Sequence, residues 1–117
     1  MKNRPFRQRL SFALNGLKAA FDSESSFKIH SAAALAALVL LVLIRPQPIW
    51  WALVSLCVAS VIAAELINTA IEHLADHLHP DQHPGIRRVK DCAAAAVLVT
   101  SAGAVAVAAA LVYSLIF

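Results

Sequence analysis

The chain reads as an all-α membrane protein, a short amphipathic surface helix followed by three transmembrane helices, on three observations. Sixty per cent of its 117 residues are apolar and the mean hydropathy is +0.70, more than a soluble core of this size can hide. Three long apolar stretches are separated by polar, proline-containing breaks. A basic stretch with helical periodicity precedes the first of them. The length allows one domain, residues 1–117.

The surface helix is expected over 4–22. Phe6, Leu10, Ala13, Leu14, Leu17 and Phe21 recur at spacings of three and four, with Arg7, Ser11, Asn15, Lys18 and Asp22 on the other side. A basic amphipathic helix of this kind suits the membrane interface. Asp22, Ser23, Glu24, Ser25 and Ser26 break the pattern and supply N-cap candidates. The first span follows over 25–44, its strictly apolar part being Ala32–Ile44, and Arg45-Pro46-Gln47-Pro48 ends it in a turn. A second span is expected over 49–75, apolar from Ile49 to Ala64 and amphipathic afterwards. Asp76–Lys90, with Pro80, Pro84 and Gly85, reads as a polar loop. The third span, 91–116, lies in Cys92–Phe117, which carries no charge and is rich in small residues that permit close helix packing.

Charge sets an orientation. Six of the ten Lys and Arg lie before Ala32, three lie at 87–90, and only Arg45 lies in the proline turn. By the positive-inside rule the N-terminus and the 76–91 loop are cytoplasmic, and the turn and C-terminus are outside. Trp50, Trp51 and Tyr113 then fall in the outer aromatic belt. Ten basic against seven acidic residues suit an anionic membrane surface. No basic run or aromatic platform points to nucleic acid. Cys57 and Cys92 sit in apolar stretches and read as small buried hydrophobes rather than a disulfide or metal pair. MKNRPFRQRL leads into no immediate apolar core with an A-x-A site, so a removable signal peptide is not expected.

The second span carries the chemistry. At 100° per residue Glu65, Asn68, Glu72 and Asp76 fall within a sector of roughly 80°, with Thr69 beside them. Glu65 lies ~24 Å from Ile49 along the helix and Glu72 ~10 Å further, on either side of the inner edge of a hydrocarbon core about 30 Å thick. A carboxylate there costs at least about 2.5 kcal/mol unless it meets a cation, a proton or a polar partner. Stacked carboxylates also repel one another, which favours a proton or a metal between them. Hard oxygen ligands suit Mg²⁺, which commonly takes one or two carboxylates together with substrate phosphates. Glu24, Lys90 and Asp91 stand at a depth to join them. The residues alone thus predict a metal-assisted site at the inner interface, open to a lipid headgroup and to a cytosolic solute.

His73 and His77 at i and i+4, with His79 and His83 beyond, could hold Zn²⁺ in a metal-ion transporter. No matching ligands stand in the other spans, so these histidines are expected to meet water or headgroups. A non-enzymatic membrane subunit is a further alternative. There is no G-x-x-x-x-G-K-[ST], so a nucleotide site here is not a P-loop.

Glu65-Leu-Ile-Asn68-Thr69-Ala70-Ile71-Glu72-x-x-x-Asp76 resembles the signature of the prokaryotic diacylglycerol kinase family, E-x-x-N-[ST]-A-[IV]-E-x-x-x-D. Lys90-Asp91-x-x-x-Ala95-x-Val97-Leu98, Asn15-Gly16-Leu17-Lys18-Ala19-Ala20 and Glu24-x-x-Phe27-Lys28 are similar as well. The resemblance implies a homotrimeric kinase of the bacterial inner membrane that moves the γ-phosphoryl of MgATP to a lipid hydroxyl. It implies Glu65 as general base, Asn68 as an essential asparagine, and Glu24 and Glu72 as Mg²⁺ ligands. Asp81, Gln82, His83, Lys90 and Asp91 correspond to nucleotide contacts, alongside the two metal glutamates. Lys18, Phe27, Lys28, His30 and Trp51 correspond, with Glu65, to substrate contacts. The expected acceptor is diacylglycerol, with undecaprenol as the alternative, because Phe27-Lys28-Ile29-His30 is similar to members that phosphorylate undecaprenol. Two family positions differ: the N-terminal arginine aligns with Pro5, between Arg4 and Arg7, and a common serine is Ala94.

Overall fold

The structure is a computed structural model that describes residues 2–117. It is all-α: α1 (Phe6–Ser23), α2 (Ser25–Ile44), α3 (Pro48–Leu78) and α4 (Pro84–Ile116). The last three are each long and apolar enough to cross a membrane. At about 1.5 Å per residue α3 and α4 are ~46 and ~50 Å long, well beyond a hydrocarbon core of about 30 Å.

The breaks between helices have local causes. One extended residue, Glu24, separates α1 from α2, at φ −118° and ψ 115°. Ser23 Oγ donates back to the carbonyl of Ala19 at 2.8 Å, a bond that bends and ends helices. None of the serines caps α2; its N-cap is Glu24, with no side-chain hydrogen bond. Arg45 closes α2 in the left-handed region, at φ 54°, and its N–H reaches the carbonyl of Leu41 at 2.9 Å. Pro48 then opens α3, where its missing N–H costs nothing.

The segment expected as a loop, 76–90, is mostly helix. α3 continues three residues beyond 75, and Pro84 starts α4 seven residues before 91. His83 Nδ1 accepts from the N–H of Gly85 at 3.0 Å and caps the new helix. Only His79–His83 links the two helices.

α3 is the centre of the molecule, with α2 and α4 both packed against it, while α2 and α4 do not meet. The result is a slab of 52 × 39 × 23 Å. The covered positions on α4 are 86, 90, 93, 97, 100, 104, 107 and 111, with Ser101 beside them. Steps alternating four and three make a 3.5-residue seam of the coiled-coil kind, filled here mainly by small and β-branched residues. Outside the seams the three long helices are exposed, and their surface faces lipid or further protein. Ser60, Thr100 and Ser114 return their hydroxyls to carbonyls of the preceding turn, as polar groups in an apolar helix must. α1 touches only α2 and α3, and its only buried residue is Ala20.

Candidate functional site

Among the described residues only two buried side chains are polar, and both come from the α3 motif: Glu65 and Thr69. Glu65 lies on the face of α3 that meets α2. Its Oε1 is 2.6 Å from His30 Nδ1, with the two side chains 4% and 27% exposed. The ring's donor direction misses the oxygen, so Nδ1 is in contact with the carboxylate without a formed hydrogen bond. A second pair with the roles exchanged stands nearer the 79–83 loop, where His73 Nε2 on α3 lies 3.4 Å from Glu24 Oε1 at the head of α2. His73 itself is exposed, its side chain 61% open, with Glu24 in reach. His30 was expected only as a substrate contact, and no spacing rule connects it to Glu65.

Asn68 is half-buried, and its Oδ1 is sealed from solvent with no partner. Glu72 is half-buried and forms no ion pair among the described residues. No group of three or more His, Cys, Asp or Glu converges on one point among them. Glu24 and Glu72 stand at the same end of α2 and α3, and carboxylates are the donor type that Mg²⁺ takes together with phosphate oxygens and water. Asp76, on the same stripe, is instead paired with Lys90 of α4.

The loop end of α3 and α4 forms a polar recess of about 590 Å³. Asp81, Gln82, His83 and Lys90 line it, so four of the five residues expected at the nucleotide apart from the metal glutamates share one cavity. Arg87, which the sequence did not single out, lines it too and pairs with Asp91 at 3.2 Å. Asp91 itself lies outside the recess.

The remaining expected contacts are dispersed. Phe27 is buried in the seam of α2. Lys28 is exposed, its Nζ 5.7 Å from the ring centroid of Phe21. Lys18 is exposed on α1, and Trp51 is half-buried near the opposite end of α3. Between α2, α3 and α4 an apolar cavity of about 440 Å³ runs from His30 toward Ile44 and Leu115, with Ser101 in its wall. The Ser101 hydroxyl is buried without a partner.

Comparison with known proteins agrees with the motif. The family model for prokaryotic diacylglycerol kinase matches residues 11–112. Undecaprenol kinase of Bacillus subtilis (strain 168) is 39% identical over 77 residues, 66% of this chain and 63% of that protein. Diacylglycerol kinase of Synechocystis sp. is 33% identical over 97 residues, 82% of this chain and 55% of that one. Diacylglycerol kinase of Escherichia coli (strain K12) is 32% identical over 88 residues, 75% and 72% of the two chains. The chain spans less than two thirds of the length of the first two relatives. With nearly all of α1 through α4 inside the matched region, the chain belongs to the prokaryotic diacylglycerol kinase family.

Proposed function

We propose that the protein is an integral-membrane lipid kinase that transfers the γ-phosphoryl group of MgATP to the hydroxyl of a membrane lipid. One observation carries it: a buried carboxylate, Glu65, stands on the same helix face as Glu72, which leads toward a polar recess suited to a nucleotide. Each part has a role. Glu65 takes the proton of the acceptor hydroxyl as its oxygen attacks the γ-phosphorus. Asn68, with a free amide oxygen, orients the acceptor or the phosphates. Lys90 and the loop Asp81-Gln82-His83 hold the nucleotide at the recess, with Asp91 beside them. Glu24 and Glu72 hold Mg²⁺, which when bound neutralises phosphate charge. Little covalent chemistry falls to the protein, so positioning and charge carry the rate.

The protein sits in the bacterial inner membrane as a homotrimer, with its N-terminus and the 79–83 loop in the cytoplasm, where ATP is. Diacylglycerol, giving phosphatidic acid, is the first acceptor on this reading. Undecaprenol is the second, and one observation favours it. His30, part of the segment similar to undecaprenol-phosphorylating members, is in contact with Glu65, next to the reacting hydroxyl.

The test is purified protein in detergent with radiolabelled MgATP, offered diacylglycerol and undecaprenol side by side. A labelled lipid is expected with the wild type, and a loss of roughly 10²–10⁴-fold with Glu65→Gln, whose amide cannot take a proton. No labelled lipid with either acceptor would leave the non-enzymatic subunit as the better reading.

A further inference from the structure

Glu65 is the one charged side chain buried in this structure among the described residues. As a general base it must do more than accept a proton. In each turnover the lipid oxygen forms a bond to the γ-phosphorus, and the bond from that phosphorus to the β,γ-bridging oxygen breaks. ADP leaves with the electron pair, and the hydroxyl proton stays on Glu65. The next turnover needs the carboxylate back, yet a side chain 4% exposed has little water to receive the proton.

We propose that His30 is the outlet for that proton, passing it from Glu65 to water; the inference rests on the lipid-kinase reading above. Nδ1 of His30 is 2.6 Å from Glu65 Oε1, its ring is 27% exposed where Glu65 is not, and His30 stands before the strictly apolar stretch Ala32–Ile44, at the interfacial end of α2. Imidazole takes a proton on one nitrogen and releases one from the other at physiological pH. With Nδ1 on the carboxylate, Nε2 is the nitrogen that hands the proton on. Histidine χ2 is a soft torsion, and catalytic hydrogen bonds are often poorly aligned before substrate binds.

Among the described residues no other titratable group makes an ion pair with His30 or Glu65. On α2, Glu24 is engaged by His73, and Lys28 lies over Phe21. On α3, Glu72 and His73 make no ion pair with His30 or Glu65, and Asp76 is taken by Lys90. On α4, Asp91 is taken by Arg87. On α1, Lys18 and Asp22 are exposed and pair with neither.

The geometry also supplies a test. His30 borders the 440 Å³ cavity, so its removal opens space beside Glu65 for a small base. His30→Ala and His30→Gln are assayed on purified protein with MgATP and the accepted lipid, with and without added imidazole, beside wild type and Glu65→Gln. Both variants are expected to lose roughly 10²-fold in kcat with little change in the KM for lipid. Imidazole should restore His30→Ala and leave His30→Gln unchanged, because glutamine still fills the space. Wild-type kcat in His30→Gln would reduce His30 to a packing contact and overturn the proposal. So would a defect confined to the lipid KM, which is what a substrate contact alone predicts. An unrescued His30→Ala that melts like wild type overturns it as well. A wild-type protein that phosphorylates no lipid sinks the kinase reading itself, an outcome separate from an active wild type with an indifferent His30.

Discussion

The acids of the α3 stripe differ most in what stands beside them. Glu65 has His30 and Asp76 has Lys90, while Glu24, from the head of α2, has His73 of α3. Glu72 alone among these has no basic partner in reach among the described residues, which leaves it the most available to a cation. Glu72→Gln keeps the shape and removes the charge. It is expected to weaken apparent Mg²⁺ affinity by at least roughly tenfold, read from turnover against Mg²⁺ concentration with an unchanged melting curve as control. Glu24→Gln should behave likewise, and near-normal turnover at low Mg²⁺ in either would remove that residue from the ligand set. Lys90 poses a different question, since it faces both Asp76 and the recess. Asp76 is 60% exposed in that pair, and exposed pairs contribute about 0–1 kcal/mol, so Asp76→Asn should change the KM for ATP by less than about fivefold. If Lys90 holds the nucleotide as proposed, Lys90→Met should raise it about tenfold or more. Equal effects from the two variants would make the pair structural and Lys90 no nucleotide contact. The stripe itself was legible in the sequence, because 100° spacing and membrane depth are properties of one helix. Its partners were not. His30 and His73 meet Glu65 and Glu24 only through the antiparallel register of α2 on α3, which no local spacing encodes.

Each helix boundary has a local cause that residues can announce, and those with prolines announced it best. Pro46 and Pro48 marked the end of α2 and the start of α3 to within a residue. Pro84 marked a helix start instead of a loop, because proline at the first position sacrifices no hydrogen bond and His83 caps the turn. Which face of α4 packs was hidden for another reason. Cys92–Phe117 is apolar all round, so hydrophobic periodicity has no contrast to report. The seam appears only as alternating steps of three and four in burial, with Ala93 on it and Ala94 off it. That difference is open to measurement. Ala93→Leu adds volume where α4 meets α3 and is expected to destabilise by about 1–3 kcal/mol, seen as a lower melting temperature in detergent. Ala94→Leu, at an exposed position, should melt within about 0.5 kcal/mol of wild type. If Ala94→Leu is the damaging change, that surface is covered by another copy of the chain, as a trimer would require.

At the scale of the whole molecule the exposed apolar surface and the polar end have to be reconciled with one membrane. α3 and α4 exceed the hydrocarbon thickness by ~15–20 Å, and the excess falls at the 79–83 end if the tryptophans near Pro48 sit at the opposite interface. That end also carries the basic residues: Arg87, Arg88 and Lys90 by the loop, and Lys18 and Lys28 on either side of the α1–α2 junction, against Arg45 alone at the proline turn. Helix overhang and charge therefore point the recess to the same side, and a kinase needs that side to be cytoplasmic. Reporters active only in the cytoplasm are expected to work when fused near Gln82. Reporters active only outside are expected to work at Gln47 and after Phe117. The turn and the C-terminus must agree, since α2 and α4 run parallel on either side of α3. An inverted pattern would put Glu72 and the recess away from ATP, and the lipid-kinase mechanism would have no route to its phosphoryl donor. Disagreement between Gln47 and Phe117 would instead mean that one of the three long helices does not cross. Glu65 would then lose the depth at which its hydroxyl partner is expected, whatever the helices look like in isolation.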